Sequence, residues 1–128
     1  MNIELNERVA VEVMGYKYTP FTDTGGKIIP RWRKPSPYQL VGGLPDYSGD
    51  IAAAWLVVEE LAKRLIWLSS LEEKTPVAWY VVFRYWEPGN EDIEAHWKSA
   101  GSGFCATAPL AICHAALDIC EKMKVSET

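Results

Sequence analysis

Only three cysteines occur in the chain, Cys105, Cys113 and Cys120, and no two of them form a Cys-x-x-Cys pair. An odd, widely spaced set excludes a disulfide framework, and with just two histidines no convincing metal cluster can be assembled. Cys113 and Cys120 stand two turns apart on one helix face, too far for a bond within the helix, so they read as small core residues. No apolar run is long enough to span a bilayer, and no signal peptide is legible. These absences predict a protein of the reducing cytoplasm. The Ser-, phosphate-, zinc- and dinucleotide-site motifs are also missing. Gly25-Gly26 and Gly42-Gly43 lack the following helix that a phosphate loop needs. His114 sits beside Cys113 but points about 100° away from it around a helix, so the two form no dyad. His96 alternates with Glu94 and Lys98 on a half-polar strand, which reads as a solvated face with Arg84 across from it. No catalytic constellation and no cofactor is expected, and the chain reads as a non-enzyme.

What is present fits one domain over residues 1–128, large enough to bury a core unaided. Apolar residues make up 48% and charged residues 23%, as in ordinary globular proteins. Six Trp and six Tyr are many for this length, and such an excess points to a binding surface or an oligomer contact as readily as to a core. The net charge of −4 is unevenly spread. Between Met14 and Pro45, five cations (Lys17, Lys27, Arg31, Arg33, Lys34) face Asp23 alone, a local +4 that leaves −8 elsewhere. An acidic body with one basic segment argues against coating a long nucleic acid and allows a local anion site.

The strongest pattern is Pro45–Leu68. Its centre reads as a long amphipathic helix with Ser48 as N-cap and Asp50 in the first turn. Ile51, Ala54, Trp55, Val58, Leu61, Ala62, Leu65 and Ile66 form the expected apolar stripe. Ala52-Ala53-Ala54 keeps one section slim. Before it, Asn2–Met14 predicts a helix capped by Asn6, with Val9, Val13 and Met14 inward and Gly15 as its stop. Residues 14–47 are too rich in Pro and Gly for a helix; Lys27–Arg33 and Tyr38–Val41 read as short edge strands. After it come a polar turn at Glu72–Pro76, a strand at Val77–Trp86 apolar on both faces, a turn at Pro88–Asn90, and a strand through Ile93, Ala95 and Trp97. A turn at Ser99–Gly103 and a short strand at Phe104–Ala106 follow. The three strands predict an antiparallel meander, with Trp55 and Val58 packed on Val77–Trp86. A final helix, Ala108–Met123, is capped by Thr107 and carries Leu110, Cys113, Leu117 and Cys120 on one face. The fold class is α+β, an antiparallel sheet sandwiched between helices (α-β-α) with one long central helix.

The blocks ERVAVEVMGYKY, PDYSGDIAAAWLVVEEL and ATAPLAICHAALDI, with Trp32 between the first two, resemble the phage ABA sandwich domain family, small proteins of phages and prophages. The resemblance covers nearly the whole chain, and YSGDIAAAWLVVE is its most specific part. It implies a sheet between helices and an accessory phage protein, and it transfers no catalytic residue.

The sharpest local feature is Pro30–Pro35, in which Arg31, Arg33 and Lys34 surround Trp32. Arg grips phosphate in a bidentate fashion and an indole stacks on a base. The expected ligand site is Arg31, Trp32, Arg33 and Lys34, aided by Tyr47 and by Arg84, His96 and Lys98 on the sheet. The competing reading makes Trp32 a packing anchor and the cations solvated. Two functions follow. One is a non-enzymatic module that sequesters a small nucleotide messenger of host defence in the cytoplasm of an infected or lysogenic cell. The other is a structural protein that binds a host or phage protein through its aromatic surface. In either case a homo-oligomer is expected, with no membrane and no long nucleic acid as partner.

Overall fold

Two alternations of residue size decide how the layers meet: glycines on one strand and alanines on the last helix. The computed structural model describes residues 2–35, 38–75 and 78–127. Its elements run α1 (Ile3–Glu12), β1 (Lys17–Tyr18), β2 (Phe21–Thr22), β3 (Ile28–Ile29), β4 (Trp32–Pro35), β5 (Tyr38–Val41), α2 (Ile51–Lys63), β6 (Trp67–Thr75), β7 (Ala78–Glu87), β8 (His96–Cys105) and α3 (Ala108–Glu127). All strand pairs among them are antiparallel, in a large sheet β6-β7-β8, a small sheet β1-β4-β5 and a ribbon β2-β3. The architecture is α+β, and the sandwich arrangement is consistent with it.

Helix α3 lies against β7 and β8, and α1 and α2 pack on α3. Gly101 and Gly103 of β8 sit under it. A Cβ on Gly101 would lie 2.6 Å from Ile119 Cγ1, and one on Gly103 would collide with the Ala111 carbonyl oxygen. From the helix side, Ala111, Ala115 and Ala116 are fully buried. Small residues on both surfaces let helix and sheet approach closely, and Val81 and Phe83, opposite Gly103 and Gly101 in the ladder, are fully buried there. Ser102 N–H on this edge strand donates to Asp118 Oδ2 of α3 at 3.2 Å.

Helix α1 is capped by Asn2, whose side chain accepts from Leu5 N–H at 3.0 Å, and Gly15 follows it at φ +78°. Asn6, expected as the cap, is instead buried inside the helix. Its amide donates to Asp46 Oδ1 at 2.9 Å and its carbonyl accepts from Ser48 N–H at 2.8 Å. Asp50, not Ser48, caps α2, accepting from Ala52 N–H at 3.0 Å. The two residues read as caps thus join each other, latching the turn before α2 onto α1.

Helix α2 is shorter than expected. It stops at Lys63, with Leu65 at φ +61° and Ile66 N–H donating back to Leu61 O at 3.0 Å. That closure is a Schellman turn with Leu where Gly is usual, so the sequence carries no stop signal. The chain then enters β6, a strand that replaces the expected end of the helix and the polar turn. The buried face of α2 is Ala53, Ala54, Val57, Val58 and Leu61. Trp55, expected on Val77–Trp86, is 43% exposed, because the alanines take the packed side. In the meander, one continuous strand, β8, runs through the expected turn at Ser99–Gly103, whereas Ile93 and Ala95, expected within a strand, precede it. Pro76 and Val77 lie outside the described residues. Strand β4 is central in its small sheet, not an edge.

Two outcomes are expected. Gly103→Ala should cost about 1–3 kcal/mol in urea denaturation, because α3 must move off the sheet. Alkaline stability should fall early. Burial pushes the Cys113 thiol up from 9.0 to about 12, and burial beside Tyr16 raises the Tyr47 phenol. The folded chain keeps protons that the unfolded chain releases, so this stability is complete below pH 9 and is lost as pH rises towards 12. Melting curves of Cys113→Ala should show a shallower loss than wild type across that window.

Candidate functional site

The expected ligand site divides into separate parts. Trp32 is 8% exposed, belongs to the buried core with Leu5 and Val9 of α1, and its ring lies 4.8 Å from that of half-exposed Tyr18. It is the anchor of the small sheet on α1 and presents no free face for stacking. Tyr47 is fully buried in the core, so it too is unavailable to a ligand. The cations fare differently. Arg31 Nε donates to Thr19 O at 3.0 Å, and its guanidinium lies 5.0 Å over the Phe21 ring. Arg33 is directly opposite Lys17 on β1 and Leu40 on β5. Lys34 borders a small recess with Tyr16, Pro35, Glu60 and Lys63.

On the large sheet, Arg84 pairs with Ser99 and Trp67, Lys98 with Tyr85, and His96 with Glu87. Successive side chains alternate between faces, so Arg84 projects from one face and Lys98 and His96 from the other. Arg84 is therefore not across from His96 as expected. Lys98 Nζ lies 3.5 Å from Glu87 Oε2, and that carboxylate holds the lysine pKa above its usual value. His96 Nδ1 is 3.0 Å from Glu94 O.

One further arrangement suited to a small molecule was not legible in sequence. It is a cleft of about 490 Å³ where the end of α2, the sheet and the last turns of α3 meet. Its floor is apolar, from Ile66, Ala100 and Ile119, and Tyr85, whose side chain lies on the α3 side of β7, supplies an aromatic wall. Arg64 and Lys122 stand at its rim on opposite elements. Each is paired on its own helix: Arg64 Nη2 lies 3.6 Å from Glu60 and Lys122 Nζ 3.1 Å from Asp118. Arg64 also donates to Val13 O, which fixes its reach. Pairs this exposed are weak, so a phosphate or carboxylate competes with them readily. Leu65, the residue at positive φ, is part of the lining, which places the one strained non-glycine backbone of the described residues at the cleft. Volume, apolar floor and few convergent polar groups match a small-molecule site. Among the described residues no group of His, Cys, Asp or Glu is placed to hold a metal ion, and no helix is long and apolar enough to cross a membrane.

A three-helix α+β domain with a large antiparallel sheet and a lateral cleft is the class that fold and site define. The chain belongs to the phage ABA sandwich domain family, which it matches over residues 7–117. No curated protein and no solved structure matches it.

Because Trp32 is a buried anchor whereas Arg33 is only half-buried, opposite Lys17, Trp32→Ala should lower stability by about 3–5 kcal/mol, whereas Arg33→Ala should cost less than about 1 kcal/mol in the same denaturation series.

Proposed function

We propose that this phage-family protein is a non-enzymatic binding module that sequesters a small nucleotide-type messenger of host defence, and that the cleft beside Tyr85 receives it. The observation that carries the reading is the pairing of an aromatic wall with Arg64 and Lys122 across an apolar floor. A planar base suits the wall, and phosphates suit the two cations. Charge-assisted contacts contribute about 1.5–3 kcal/mol each and a stacked base about 1–3 kcal/mol, enough in combination for micromolar affinity after association costs. The acidic remainder of the chain favours a compact ligand over a polymer. Such a role requires the cytoplasm of an infected or lysogenic cell.

Calorimetry against cyclic dinucleotides, cyclic trinucleotides and ADP-ribose derivatives tests this. At least one should bind with Kd below about 100 µM. Lys122→Glu should weaken it at least about tenfold by charge reversal at the rim, and Arg31→Ala/Arg33→Ala should leave it unchanged. Absence of any binder refutes the nucleotide reading. A loop variant that loses binding while Lys122→Glu keeps it moves the site to the small sheet.

A further inference from the structure

The face of the large sheet turned away from α3 carries a second feature that the cleft does not use. Register places Trp67 opposite Arg84, Trp86 opposite Trp97 and Tyr80 opposite Phe104. By strand alternation these side chains share one face with Val82 between them. The Trp86 and Trp97 rings meet edge to face at 5.3 Å. Trp67, Trp86, Trp97 and Phe104 nonetheless leave 44%, 50%, 51% and 61% of their surfaces to solvent. Contiguous apolar surface of this kind marks an interaction site.

We infer that this face is covered by the same face of a second copy of the chain, forming a two-fold symmetric dimer. Area supports that occupant. Aromatic side chains bury 150–250 Å² each, so half-exposed ones offer roughly 100 Å² apiece, and the four together supply about half of the ~800 Å² that each partner contributes to a stable interface. Tyr80 and Arg84 lie among them and extend the patch, over the buried Val82. Composition supports it as well: Trp, Tyr and Arg are the residues that dominate interface energetics. Charge permits self-association. Glu72 and Lys74, at one end of the face, neutralise each other at 2.6 Å. Arg84 is flanked by indoles on which a guanidinium from either copy can lie flat. Two such sheets stack face to face about 10 Å apart with their strands nearly aligned. The competing apolar patch on α2, from Ile51, Trp55 and Leu56, has a single indole and offers less area.

Sedimentation of the full chain across about 1–100 µM reads the association directly. The expected result is a species of twice 14.4 kDa. Trp97→Glu/Phe104→Glu, which spares the cleft wall, should raise the dimer Kd at least about a hundredfold. Phe104→Lys alone, at the most exposed of the four positions, should raise it at least about tenfold and serves if the double variant does not fold. Oxidative footprinting of the wild type should protect Trp67, Trp97 and Phe104 and leave Trp55 reactive. A chain that stays at 14.4 kDa overturns the inference, whether alone or in complex with an unrelated protein. So does an assembly that survives these substitutions, or one in which Trp97 is labelled as fast as Trp55. None of these outcomes depends on whether a nucleotide binds.

Discussion

The close approach of α3 to β8 is the constraint on which most of this structure depends. Layers of secondary structure are held apart by the side chains between them, about 10 Å for two stacked sheets. Here Gly101 and Gly103 remove the side chains of the sheet, and Ala111 and Ala115 minimise those of the helix. The gain is direct contact between α3 and the Val81–Phe83 stretch, and α3 then becomes the surface on which α1 and α2 pack. The cost is intolerance: a single methyl at position 103 meets helix backbone, which cannot rotate out of the way as a side chain can. The same contact sets the cleft, since Ile119 and Lys122 reach it from α3 and Ala100 from the adjoining residue of β8.

How much of this was legible follows from where each signal lies. Helices α1 and α3 and strands β5 and β7 were readable because their patterns are local. The stop of α2 was not, because Leu65 adopts a backbone conformation for which the sequence shows no glycine. Reading on through Ile66 hid β6 altogether. The stretch Ser99–Gly103 resembles a turn because it is made of small residues, yet their smallness serves the contact with α3, a requirement set by a different element eight or more residues later. Trp55 was placed inward on size, but the slim Ala53–Ala54 side won the packed position. The family resemblance held through all of these errors because it rests on sequence blocks and not on their assignment to elements.

The basic segment shows the same limit at the level of function. Trp32 beside three cations has the chemistry of a nucleotide site, and chemistry alone could not decide whether the indole faces solvent. Burial decides it: the ring closes the small sheet onto α1 with Tyr18 against it. Lys17 and Arg33 remain side by side without an acidic partner among the described residues, so that surface stays electropositive. The cleft could not have been read in advance, since Arg64, Tyr85, Ala100 and Lys122 converge from four segments. Its one local trace was Tyr85, which looked like ordinary strand sequence.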